Sequence, residues 1–227
     1  MSYSKHNDIN AVLEKAEKDI SAVEKRYADC LNEQTIPDDM LVEVKDCISN
    51  IRTALDYAWC KVPNAGTNSH FPISNSPADF ANKVQNIDQK YIAVVEPLQS
   101  YNGDPWLENF GRIRNKNEHL TLIPQVRKET NEFSIRSKQG GSIVARGCTF
   151  RGAISFRVGG VNIPIDEATQ FPAEVESDEV EIERKVWVDF LFDGSSISPD
   201  FPQGVSALPF LKQSLASAAS IVQALEK

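Results

Sequence analysis

The sequence predicts an α+β protein: an N-terminal antiparallel helical bundle, then an antiparallel β-sheet, then a closing C-terminal helix. Three observations carry this. Up to Pro124 the apolar residues recur at spacings of three and four. Beyond Pro124 the period shortens to two, with paired glycines between the runs. The last twenty or so residues return to helical spacing.

The first element is a long helix over about residues 7–34. Ile9, Val12, Leu13, Ala16, Ile20, Val23, Tyr27 and Leu31 form its apolar stripe, and its other face is rich in Glu and Lys. Thr35-Ile36-Pro37-Asp38 breaks it, with Asp38 expected as the N-cap of a second helix. That helix runs to about Val62 on Leu41, Val44, Ile48, Ile51, Leu55 and Ala58, a seam shared with another helix. So short a break implies an antiparallel hairpin. Residues 63–78 form a loop punctuated by Pro63, Gly66, Pro72 and Pro77. Two shorter helices are expected near 77–86 and 88–99. Asn102-Gly103-Asp104-Pro105 then opens another, with Asp104 as N-cap and Pro105 at its first position. Trp106, Leu107, Phe110 and Ile113 are its apolar face, and Arg112, Arg114 and Lys116 mark its C-terminal end.

In the β-rich part, Phe133 and Ile135 suggest one strand and Ser142–Arg146 a second, joined through Gly140-Gly141. Phe150 to Val158 alternates, and Gly159-Gly160 supplies a tight hairpin into Val161–Ile165. Val180, Ile182, Val186, Val188, Phe190 and Phe192 line one face of a long strand. After a Ser/Pro/Gly loop over 195–204, a helix over about 206–226 carries Leu208, Leu211, Leu215, Ala218, Ile221, Val222 and Leu225. Trp59, Trp106 and Trp187 are spaced as core residues. The expected division is a helical bundle over 1–124 and a β-rich region with the last helix over 125–227.

The 227 residues carry a net charge of −8, which argues against indiscriminate nucleic-acid binding. The charge is unevenly placed. Residues 111–160 hold 10 basic and 3 acidic side chains, whereas residues 161–200 hold 2 basic and 11 acidic. The basic block serves either as a surface for a polyanion or as the ion-pair partner of the acidic one. Its Arg112, Lys116, Arg127 and Lys128 are the candidate nucleic-acid contacts. No apolar run reaches the roughly 18 residues of a membrane span, and the polar N-terminus has no signal-peptide pattern. Cys30, Cys47, Cys60 and Cys148 form no CxxC pair, so a cytoplasmic location is expected.

The basic block contains Arg114-Asn115-Lys116-Asn117-Glu118-His119. A guanidinium grips phosphate oxygens bidentately and keeps its charge, and an imidazole accepts and returns a proton near neutrality. Five positions along a helix place two residues about 140° apart. The pair therefore meets on one phosphate only if the helix ends between them or a second chain completes the site. The alternative is a solvated helix end whose cations complement the dipole. Arg52 and Asp56, four apart, are a helical salt bridge or a support that orients Arg114 or His119. His70 stands alone in a loop and reads as a surface or structural histidine. Three dispersed histidines and no Cys pair offer no metal site, no cofactor-binding motif is present, and no cofactor is expected.

The helical part resembles the HEPN superfamily of small helical bundles. HEPN ribonucleases carry an arginine, a polar residue, three variable residues and a histidine, and Arg114, Asn115 and His119 match that form. The chain also resembles a loose group of uncharacterised bacterial proteins. These share a helix like Asn50-Ile51-Arg52-Thr53-Ala54-Leu55-Asp56, a segment like Phe71-Pro72-Ile73, and an Asn-x-x-Lys-His-Arg-like stretch before a β-rich half. Here Glu118 and Leu120 replace the basic residues that flank the histidine. The resemblance implies a homodimer joined through the helical half, with a composite site between subunits. It implies metal-independent RNA cleavage in which Arg114, Asn115 and His119 act, in bacterial defence or stress. Other HEPN proteins only bind RNA, nucleotides or partners, so a non-catalytic dimeric module is the alternative.

Overall fold

The computed structural model describes residues 5–33, 36–67, 69–119 and 121–227, without the side chains of 5–7, 31, 32 and 119. The side chains of Leu31 and His119 thus lie outside the description. The fold is α+β. The helices are α1 (Lys5–Glu33), α2 (Asp38–Trp59), α3 (Pro77–Lys83), α4 (Gln89–Val95) and α5 (Trp106–His119). The strands β1 (Gln125–Ser137), β2 (Ser142–Arg146), β3 (Ser155–Val158), β4 (Val161–Asp166), β5 (Phe171–Pro172) and β6 (Val180–Phe192) follow, then α6 (Gly194–Ile197) and α7 (Ala207–Leu225). The chain forms two compact units, Met1–Val126 with Phe190–Lys227 and Arg127–Asp189. The expected boundary at 124/125 put the last helix with the strands, whereas α7 packs on α1 and α2.

In the helical unit α1 and α2 run antiparallel. Arg26 pairs with Asp39 and Glu43, and Asp19 accepts from Asn50, so positions fall on one helix as they rise on the other. Val44, Ile48, Ile51 and Leu55 are buried along the α2 seam. At its start Met40 takes the buried place expected of Leu41. Pro37, not Asp38, is the N-cap of α2, and it has no side-chain acceptor to offer. Helix α5 starts at Trp106, one residue after the expected first position at Pro105, and Asp104 accepts the Trp106 N–H at 2.9 Å. The closing helix α7 meets α5 through a buried hydrogen bond from Trp106 Nε1 to Ser214 Oγ at 3.0 Å. The Phe190 N–H reaches the Tyr27 hydroxyl at 2.8 Å, tying the returning chain to α1. Among the described residues no helix is long and apolar enough to cross a membrane.

The second unit has two three-stranded arrays, ordered β2-β1-β6 and β3-β4-β5. Phe133 and Ile135 pair with Ala145 and Ile143, and all face a small core with Ile163 and Val158. The β3–β4 hairpin turns on Gly159 and Gly160, at φ of 56° and 84°. A side chain at Gly159 would strike Ser137, so this turn requires glycine. Only Ser155–Val158 of the expected Phe150–Val158 strand is extended, because Gly152 at φ 81° breaks the pairing. Trp187 is not a core residue: it is 47% exposed and lies beneath the Arg146 guanidinium at 5.0 Å. Val186 is also exposed, so neither face of β6 is covered there.

Candidate functional site

The site begins with a loop that four neighbours hold in place. His70-Phe71-Pro72-Ile73 follows α2, and Phe71 is buried edge-on against Trp59 with ring centroids 6.0 Å apart. Asp56 accepts the Phe71 N–H at 2.7 Å, and Arg52 donates to the Phe71 carbonyl at 2.9 Å. Gln99 is fully buried, accepts from the Ser74 N–H at 2.8 Å and donates to the Pro72 carbonyl at 3.3 Å. Gly111 lets α5 approach, since a Cβ there would sit 3.3 Å from Ile73 Cδ1. The Phe71 and Ser74 N–H groups and the Phe71 and Pro72 carbonyls are thus satisfied by side chains rather than by a sheet.

Arg52 and Asp56 form the expected pair, at 2.9 Å between Arg52 Nη2 and Asp56 Oδ1. Their side chains are only 11% and 17% exposed. Burial pushes the Arg52 pKa down, Asp56 pushes back, and the nearby charge of Arg114 adds to the lowering. The second Asp56 oxygen accepts from Arg52 Nε at 3.2 Å and meets His70 Nδ1 at 3.1 Å. The carboxylate thus collects four contacts and fixes the His70 ring by one nitrogen, leaving Nε2 without a partner among the described residues. His70 itself is 77% exposed.

Arg114 and Asn115 line the same cleft as Arg52 and His70, a space of about 720 Å³. Its other cations are already matched. Lys83 pairs with Asp79, and Arg112 pairs with Glu108 at 2.6 Å and Asp200 at 2.9 Å. Burial works against the Arg112 charge, but Asp200 and Glu108 more than offset it and raise its pKa. Arg114 donates to Asn115 Oδ1 at 3.3 Å and has no carboxylate partner among the described residues. Its Nε is buried without an acceptor. An unmatched guanidinium in a cleft is a site for an anion.

The structure therefore brings Arg52, Asp56, Arg114 and Asn115 to one place, with Arg112 lining the same cleft as a neutralised cation. Helix α5 runs through His119 instead of ending between it and Arg114. The two positions are about 140° apart around its axis. Asn117, within the motif, is structural: it is buried and accepts the Ile123 N–H at 2.9 Å, turning the chain toward β1. Lys116 is half-buried on α5, and Glu118 accepts from Ser49 on α2. Arg127 and Lys128 belong to the second unit, where Arg127 pairs with Glu129. Elsewhere in the basic block Arg146 pairs with Glu132 at 3.5 Å. His70, read from the sequence as a surface or structural histidine, is exposed and lines the same cleft. The apolar Phe71-Pro72-Ile73 after it pins the loop to the core through the buried Phe71. Among the described residues no group of three His, Cys, Asp or Glu side chains is placed to hold a metal.

No family model matches the chain, and neither a curated protein nor a solved structure matches it.

Proposed function

We propose that the protein is a HEPN-like, metal-independent endoribonuclease that grips an RNA phosphate with Arg114. One observation supports this most: Arg114 is the cation of the cleft that no carboxylate neutralises among the described residues. In this reading Arg114 stabilises charge on the pentavalent phosphorus, Asn115 positions that guanidinium, and His119 transfers a proton at the ribose 2′-hydroxyl. Arg52 and Asp56 support the site by holding the loop and setting its local charge. The continuous α5 is compatible with the composite version, in which the Arg114 of one protomer works with the His119 of another. The products are a 2′,3′-cyclic phosphate and a 5′-hydroxyl, and the setting is bacterial defence or stress.

The test is cleavage of a mixed single-stranded RNA pool by the wild type, Arg114→Ala, His119→Ala and the double variant. Each single change should slow cleavage by roughly 10²–10⁴. The double variant should be little worse than either one, because groups acting as a unit are not additive. EDTA should leave the rate intact. Wild-type activity retained by His119→Ala removes that residue from the chemistry.

A second reading is a dimeric binding module. It is favoured by Val42 and Tyr57, two large side chains of α2 that are 43% and 47% exposed. Both readings use a homodimer through the helical unit, with an interface of at least about 1,000 Å². A monomer at micromolar concentration in sedimentation removes the composite site and the module together. A dimer that binds RNA without cutting it leaves the module.

A further inference from the structure

We infer that His70, oriented by Asp56, is a second proton-transfer group of this cleft and the general acid for the leaving 5′-oxygen. The inference rests on the ribonuclease reading and adds a residue to it. Three observations carry it. His70 lines the cleft that Arg114 lines. Its Nδ1 lies 3.1 Å from a carboxylate that is itself immobilised by Arg52 and the Phe71 N–H. Its loop is anchored immediately after it, by the buried Phe71 and by Gln99. A carboxylate on one ring nitrogen sets the tautomer and aims the other, the arrangement that prepares an imidazole for proton transfer.

RNA cleavage through the 2′-hydroxyl needs two proton transfers. The 2′-oxygen attacks phosphorus and forms a P–O2′ bond, and its proton goes to the base, which the proposed reading places on His119. The P–O5′ bond breaks, and the 5′-oxygen takes the pair of electrons and must receive a proton. An imidazolium whose Nδ1–H is held by Asp56 delivers the Nε2–H to that oxygen and is left neutral. Water then restores both groups. One imidazole cannot be base and acid in the same step, so a cleft with Arg114 but a single histidine lacks half the chemistry. His70 supplies it within the helical unit.

The experiment separates acid catalysis from folding and binding. An oligoribonucleotide that the wild type cuts is compared with the same strand carrying sulfur in place of the 5′-oxygen at the cut linkage. A thiolate leaves without a proton. His70→Ala should slow the oxygen substrate by roughly 10²–10⁴ and the sulfur substrate by less than about tenfold. The limb of the pH–rate profile that reports the acid should vanish as well. His70→Gln, which keeps a donor for Asp56 but carries no transferable proton, should behave like His70→Ala. Equal losses on both substrates, or recovery in His70→Gln, overturns the acid role and leaves the ribonuclease reading standing. A wild type that cuts neither substrate overturns that reading, and this inference with it.

Discussion

The Asp56 carboxylate accepts the backbone N–H of Phe71 at 2.7 Å, fastening the loop after α2 back onto α2 itself. The same carboxylate neutralises Arg52, whose other contact is the carbonyl of Phe71. One residue of the loop is thus held at both of its peptide groups by two side chains a helical turn apart.

Removing one end of this pair should be costly. Asp56→Ala leaves a mostly buried guanidinium without its counter-charge and frees the Phe71 N–H, and should destabilise the helical unit by about 3–5 kcal/mol. Arg52→Ala should cost a similar amount. The double variant should cost clearly less than the two together, because it leaves no charge stranded. Urea denaturation of the three variants measures this, and strict additivity would refute the coupling.

The Trp106–Ser214 bond makes a second test. Both residues are buried, so Ser214→Ala strands the indole N–H without an acceptor. The expected loss is about 1–3 kcal/mol. Tryptophan emission should change with it. A variant as stable as the wild type would mean that α7 is not seated on α5 through this contact.

Cys47 should be the most inert of the four thiols. It is fully buried on α2, and burial pushes its pKa up to about 12. Cys148 is exposed. At pH 8 a thiol reagent should modify Cys148 quickly and Cys47 only on unfolding. The same shift sets a pH dependence. Between the ordinary value of 9.0 and about 12 the unfolded chain loses the Cys47 proton while the folded chain keeps it. The unfolded state then binds fewer protons, so stability falls as pH rises through that window, by up to about 1.4 kcal/mol per unit. Cys47→Ala should remove this part of the slope in denaturation curves taken at pH 9 to 11.

Much of the helical unit was legible because its signals are local. The three-and-four spacing from Ile9 to Tyr27 and from Val44 to Ala58 needs no partner to be read. Arg114, Asn115, Arg52 and Asp56 were legible for a similar reason, since each pair lies within a turn or so of helix. The setting of His70 was not. It comes from Asp56, fourteen residues before His70, and from Gln99, far along the chain. No periodicity connects them. Trp187 misled in the opposite way: alternation in β6 says which face a residue takes, but not whether anything covers that face. The place of α7 was also hidden, because a C-terminal helix packs on whichever apolar surface is left open, and here that is α1 and α2.

The two arginines of α5 that line the cleft should behave differently toward RNA. Arg112 is engaged by Glu108 and Asp200, whereas Arg114 has no carboxylate among the described residues. A matched guanidinium offers little to a phosphate, since binding would first require breaking its ion pairs. Arg112→Ala/Glu108→Ala removes one charge of each sign and leaves the local balance unchanged. Its affinity for a 2′-O-methyl oligonucleotide, which binds but resists cleavage, should stay within about twofold of wild type. Arg114→Ala removes the unmatched charge. Its affinity should drop about tenfold or more, as expected for a charge-assisted hydrogen bond, and the slope of log affinity against log salt should shrink by about one. Fluorescence anisotropy at several salt concentrations reads both quantities. Equal losses in the two variants would show that the ion pairs of Arg112 do not set it apart, and the case for Arg114 as the phosphate grip would lose its physical basis.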